Sequence, residues 1–241
     1  MPHVPKWMGD AMESLMSSRL LHLKVCDTAS LSPSVKKICF SGDLHGATHK
    51  TGYAVAFRVS ATEFRNYTPS YFSPEENKCE IIFHLHGNGP GSDYVAGLTA
   101  GDTVKMVMPR GRHLYRDHPY HFFFGDETTI GLYKSMESEI MQRRQFYTGI
   151  MELDAVNAFL PEDIGLATDV LDKHREDKAR HLEALLERNL HNSGLPAGAF
   201  VYYLTGNAAS IQLFRSILKA RGVEQRNIRT QPYWAEGKRG L

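Results

Sequence analysis

At 241 residues, 42% hydrophobic and 23% charged, the chain can bury a sizeable core as one large domain or two ordinary ones. Its formal net charge of +1 excludes a general nucleic-acid surface, which needs a clear basic excess, and no apolar run approaches the ~20 residues that cross a bilayer. The opening stretch MPHVPKWMGDAMESLM lacks a basic start followed by a continuous apolar run, so it does not read as a secretory signal and a cytoplasmic location is expected.

The first half reads as β structure. LHLKVC (21–26) and VKKICF (35–40) are short strands separated by turn chemistry, and YAVAFRVS (53–60), CEIIFHLHG (79–87) and DTVKMVMP (102–109) continue the pattern. Several short strands with few candidate crossover helices predict a small antiparallel barrel or sandwich. Cys26, Cys39 and Cys79 form no C-x-x-C pair and adjoin apolar strand-like residues, so buried reduced thiols are expected.

The second half changes style near residues 116–119. YHFFFGDE (120–127) is an apolar strand leading into a helix near Thr128, and RQFYTGIMEL (144–153) is another strand. From Asp169 to Leu190, Leu171, the Lys178 stem, Leu182, Leu185 and Leu186 recur at helical spacing among charges, which predicts one amphipathic helix. GAFVYYLTG (198–206) is a third strand, followed by a helix that Asn207 caps and Gly222 stops. Strand alternating with helix predicts a parallel or mixed sheet.

Three stretches of the β half carry candidate chemistry. In FRNYT, strand geometry puts Arg65 and Tyr67 on one face, a cation and a flat ring suited to a ligand with a phosphate and an aromatic system, or else an exposed strand end. HGNGPGSDY (86–94) is a glycine-rich loop that lets backbone N–H groups approach an anion, or else an ordinary tight loop, since it fits neither a Walker A loop nor G-x-G-x-x-G. MPRGRHLY (108–115) offers Arg110 and Arg112 as an anion site or a solvated turn. His84 and His86 share a strand face with no third ligand at a recognisable spacing, so no metal site is expected. No G-x-S-x-G and no cysteine in a basic setting appears, which points to chemistry supplied by a cofactor.

Taken in order, these stretches resemble the siderophore-interacting protein family, flavin-dependent ferric-siderophore reductases of the ferredoxin-reductase superfamily. The resemblance runs from about residue 20 to the end, through LSPSVKKICFSG, FRNYTP as the flavin R-x-Y-T motif, HLHGNGPGSDYVAGLTAGD, MPRG, GDETT, YLTGNAASI and PYWAEGK. The chain departs from the family pattern in two places: Ser70 stands where an arginine often follows Pro69, and Thr129-Ile130-Gly131 stands where Ala-Leu-Pro usually follows the Gly-Asp-Glu-Thr segment.

The resemblance implies a β plus α/β chain. An N-terminal antiparallel six-stranded Greek-key flavin-binding barrel (residues 1–117) would precede a C-terminal α/β nucleotide-binding-like domain (118–241) with a basic tail. It implies FAD as cofactor, with Arg65 on the pyrophosphate, Tyr67 along the flavin and Thr68 near flavin N5 as the catalytic contact. His86, Gly87, Gly89 and Ser92 would line the adenosine-pyrophosphate side. Lys238, with Arg110 and Arg112, is assigned to attracting a ferric siderophore or other ferric chelate. NAD(P)H or a ferredoxin would supply electrons, and neither nucleic acid nor membrane insertion is implied. A flavin-containing siderophore-binding protein without turnover, or a flavin reductase of another acceptor such as a quinone or haem iron, stays open as an alternative.

Overall fold

The computed structural model describes residues 20–87 and 89–238, and the chain divides into two units between His113 and Leu114. The opening stretch, Asn88 and the tail beyond Lys238 lie outside the described residues.

The first unit is built from β1 (Leu20–Ser32), β2 (Val35–Ser41), β3 (Ala54–Arg58), β4 (Phe64–Tyr67), β5 (Tyr71–Ser73), β6 (Lys78–His84), the helix α1 (Pro90–Gly97) and β7 (Thr103–Arg110). All pairings are antiparallel, in the order β4-β3-β7-β1-β2-β6-β5, with β7 returning between β1 and β3 in the Greek-key manner. Period-2 alternation sets the inside: Leu21, Leu23 and Val25 are buried while His22 and Lys24 between them are exposed. Phe57 of β3 and Phe83 of β6 have three strands between them in the sheet, yet their rings lie 6.4 Å apart, and Phe40 lies 5.5 Å from Phe57. Side chains that meet across so many strands require the sheet to curl into a barrel around one core.

Two details correct the sequence reading. The sheet has seven strands rather than six, because the three-residue β5, hidden among turn residues between Pro69 and Pro74, pairs with β6. Cys39 and Cys79 are buried, but Cys26 is exposed, because the alternation that buries Leu21, Leu23 and Val25 puts it on the outer face with His22 and Lys24, beside a register slip between Val25 and Asp27. All three thiols are free.

The second unit is a five-stranded parallel sheet of β8 (Tyr120–Asp126), β9 (Phe146–Leu153), β10 (Asp169–Asp172), β11 (Val201–Asn207) and β12 (Ile228–Trp234), in the order β10-β9-β8-β11-β12. Its helices are α2 (Ile130–Gln142), the short α3 (Leu160–Asp163), α4 (Lys178–Ser193) and α5 (Ala208–Ala220). The central β8 is apolar on both faces, as a strand covered on both sides must be. Phe123 stacks on Tyr133 of α2 (4.5 Å), whereas Phe122 and Phe124 meet Phe214 of α5 at 5.8 and 4.7 Å.

The predicted helix from Asp169 is shorter than its periodicity implied. Asp169–Asp172 is β10, paired with β9, and α4 starts only at Lys178 after a charged turn. Leu171 falls in phase with Leu182 and Leu186 but is buried as a strand residue. The edge strand β12 had no clear sequence signal, since IRTQPYW is only partly buried and contains Pro232. Asn207 does cap α5, its side chain accepting from Ala209 N and Ser210 N at 2.8 and 3.1 Å.

Candidate functional site

Strand β4 places Arg65 opposite Phe57 and Tyr67 opposite Val55, so both side chains stand on the core-facing side of the sheet. The Tyr67 ring meets Phe83 edge-on at 4.7 Å, and burial pushes its phenol up to about 12, which keeps it neutral. Arg65 sits at the rim, one third exposed, with Nη2 on Glu63 Oε1 and Nη1 donating to the Phe64 carbonyl, each at 2.9 Å.

Helix α1 starts against these two residues. Gly89 precedes it with φ 113°, and no side chain caps its first turn. A Cβ on Gly91 would lie 2.8 Å from the Tyr67 hydroxyl oxygen and 3.2 Å from Arg65 Cγ, so only glycine lets the helix backbone approach this closely. Ser92 follows, 6% exposed, and its buried hydroxyl has no hydrogen-bond partner. At the other end Lys36 of β2 donates to the carbonyls of Val95, Ala96 and Leu98 at 3.2, 3.2 and 2.7 Å. One ammonium thus satisfies the helix's C-terminal acceptors and fixes where its open N-terminus points.

The remaining candidates are placed as follows. His86, Gly87 and Gly89 are exposed in the loop between β6 and α1, and a Cβ on Gly89 would lie 3.8 Å from His86 Cε1. The His84 and His86 rings stand edge to face, 6.4 Å apart. Thr68, 8% exposed, leads from β4 into the buried Pro69. Ser70 then turns into the barrel wall, its N–H and hydroxyl both donating to the Glu80 carbonyl at 2.8 and 3.1 Å. Arg110 ends β7 opposite Ala54, and it and Arg112 are exposed in the first unit. Lys238 is exposed in the second unit, its N–H closing a turn onto the Ala235 carbonyl at 3.2 Å.

Arg65, Tyr67, Gly91 and Ser92 therefore form one cradle: a cation, a ring, an uncapped helix start and an unsatisfied hydroxyl. That donor set fits a pyrophosphate joined to an aromatic system, because each open donor is what a phosphate oxygen satisfies. The model of the siderophore-interacting FAD-binding domain matches residues 46–113, and that of the siderophore-interacting protein matches residues 118–237. The chain belongs to the siderophore-interacting protein family. Its first unit is an FAD-binding domain, and FAD is its cofactor.

Solved structures agree in fold. A siderophore utilization protein from T. fusca superposes with a TM-score of 0.71 at 23% identity, over 92% of this chain and 95% of that one. The siderophore-interacting protein SipS from Aeromonas hydrophila gives 0.71 at 19% identity, over 92% and 93%. A variant of the ferredoxin-NADP+ reductase from Plasmodium falciparum gives 0.70 at 13%, over 90% and 97%. No curated protein matches the chain. The fold, an antiparallel barrel followed by a parallel α/β unit, is thus shared with that ferredoxin-NADP+ reductase.

Sequence reasoning missed three supports of the cradle. Gly91 lay inside the quoted loop, but its role comes from contact with β4, which spacing does not show. Glu63 stands only two residues before Arg65, a local ion pair that the reading of the motif passed over, whereas Lys36 carried no signal, since a clamp on a helix some sixty residues away is invisible in a single chain of letters.

The second unit gathers charge at the carboxyl ends of its strands. Asp126, buried at the end of β8, accepts from Asn207 N (2.9 Å) and Trp234 Nε1 (2.7 Å) on one oxygen, and from Thr128 N (2.9 Å) and the Thr128 hydroxyl on the other. Beside it the buried Glu127 accepts from Lys173 (2.8 Å), Asp154 N (2.7 Å) and Asn157 Nδ2 (3.1 Å). Lys173 also lies 5.7 Å from the centre of the Trp234 ring.

Proposed function

We propose that the protein is an FAD-dependent oxidoreductase of the cytoplasm that reduces the iron of a ferric siderophore or similar chelate, with electrons from NAD(P)H or a ferredoxin. The observation that carries this reading is the buried, unpartnered Ser92 hydroxyl at the open start of α1 beside Arg65, in a family-matched FAD-binding domain. Arg65, the α1 backbone and Ser92 would hold the pyrophosphate, with His86, Gly87 and Gly89 along the adenosine side. Tyr67 would lie along the ring system and Thr68 would hydrogen-bond near N5.

When bound, FAD supplies the chemistry that side chains lack, taking up electrons as a pair and passing them singly to Fe(III). Hard oxygen ligands hold Fe(II) less strongly than Fe(III), so reduction releases the metal. Lys238, Arg110 and Arg112 would draw in an anionic chelate. The reductase architecture supports electron delivery from a nicotinamide or a ferredoxin.

The test is steady-state turnover with NADPH, NADH and reduced ferredoxin in turn, a ferric siderophore as acceptor and a ferrous-ion trap as readout. Trapped Fe(II) that depends on both FAD and donor is expected. Flavin that stays oxidised with every donor would make this a flavin-containing binding protein instead. Flavin that is reduced but yields no Fe(II) would point to another acceptor.

A further inference from the structure

The strand order β10-β9-β8-β11-β12 reverses direction between β8 and β11. In open α/β sheets ligands settle outside the carboxyl ends of the strands at such a switch point, with phosphates on free N–H groups at the starts of the flanking helices. Here the N–H groups at that place already donate to side chains. Asn207 N and Trp234 Nε1 meet Asp126 Oδ2 at 2.9 and 2.7 Å, and Thr128 N meets Oδ1 at 2.9 Å. The next N–H groups of α5, on Ala209 and Ser210, go to the Asn207 side chain at 2.8 and 3.1 Å.

Gly206 reinforces the point. With φ +95° and no Cβ, it opens a space at the end of β11, and the Asp126 carboxylate fills that space: a Cβ there would collide with both its oxygens. A glycine at this position would ordinarily let a ligand's phosphate approach the backbone; here the protein's own anion has taken the place. Burial pushes the Asp126 carboxyl upward, with the Glu127 carboxylate adding to it, while the hydrogen bonds from Thr128 and Trp234 and the Lys173 charge pull it back down. Glu127 and Asp154 add further carboxylates at the same edge, partly offset by Lys173.

We infer that Asp126 is a specificity-determining residue, an internal anion in the phosphate place of the switch point that makes pyridine nucleotides weak electron donors. The inference rests on the reading of the chain as a flavin oxidoreductase that needs a donor. A dinucleotide phosphate brought to this edge meets a carboxylate and finds its N–H partners occupied, so the repulsion is uncompensated.

Calorimetric titration of NADP+ into the FAD-loaded protein tests this in the wild type, Asp126→Gly and Asp126→Asn. Both variants remove the charge, and Asp126→Gly also frees the Asn207 and Trp234 donors. NADP+ is expected to bind each folded variant roughly tenfold more tightly than wild type. Unchanged affinity in a folded variant overturns the inference.

Should neither variant unfold cooperatively, the wild type decides alone. NADPH and 1-benzyl-1,4-dihydronicotinamide, which carries the same reacting ring without phosphates, are expected to reduce the flavin at comparable second-order rates. An NADPH advantage of roughly a hundredfold overturns the inference. If neither compound reduces the flavin, the nicotinamide part of the donor reading falls. The wild-type titration still decides about Asp126: a Kd for NADP+ weaker than about 1 mM supports the inference and a tighter one contradicts it.

Discussion

The hydroxyl oxygen of Tyr67 lies 2.8 Å from where Gly91 would carry a Cβ. This contact joins β4 to the first turn of α1 and sets the depth of the cradle proposed for FAD between them. Gly91→Ala must push Tyr67 off Phe83 or lift the helix, and overpacking of this kind costs ~1–3 kcal/mol. The expected outcome is a Kd for FAD weakened by about tenfold or more, with far-ultraviolet circular dichroism unchanged.

Arg65→Ala should weaken FAD retention while the fold survives. A charge-assisted contact to phosphate contributes ~1.5–3 kcal/mol, whereas the exposed end of a strand-edge arginine contributes little to the core. Flavin occupancy after dialysis is the measurement, and occupancy equal to wild type would remove Arg65 from the site.

Thr68→Val should alter how the flavin behaves more than how tightly it binds. Valine keeps the volume at this buried position and removes only the hydroxyl. A changed reduction potential or a slower reduction, with FAD still bound, is expected; an identical potential and rate would show that the hydroxyl does not reach N5.

Acid stability should report His49. Its ring stacks on Phe72 at 5.2 Å, and burial, with His113 nearby, pushes its pKa from 6.5 down to about 4. The neutral ring is favoured in the fold, so the contribution is complete above pH ~6.5 and is lost as pH falls towards 4, about 3 kcal/mol in all. His49→Gln should flatten the acid limb of stability between those values in urea unfolding. An acid limb as steep as that of wild type would show that His49 is not what titrates.

Lys238→Ala should raise the apparent KM for an anionic ferric chelate and leave flavin content and flavin reduction near wild type. The effect should shrink with ionic strength, because attraction at an exposed lysine is screened over ~8–10 Å. Equal KM values at low salt would move substrate capture to Arg110 and Arg112.

Much of this was legible in the sequence, for reasons that differ by element. Leu21, Leu23 and Val25 announce a half-buried strand because local alternation and burial coincide, and Asn207 announces a helix start because its cap is a local bond. The R-x-Y-T face was legible because a strand's side-chain period puts Arg65 and Tyr67 together whatever surrounds them. β10 was not, because Leu171 fell in phase with the helix that follows and pairing with β9 overrode that rhythm. Lys36 clamps a helix some sixty residues away, and Asp126 meets donors from the ends of two later strands. Contacts of that kind exist only once the chain is folded.

The most direct test of the central claim is a single turnover without oxygen. FAD-loaded protein is photoreduced, mixed with a ferric siderophore and a ferrous-ion trap, and followed by absorbance. The account predicts that the flavin reoxidises in step with the appearance of about two trapped ferrous ions per flavin. Flavin that stays reduced in excess siderophore, or reoxidises without ferrous ion, would contradict it.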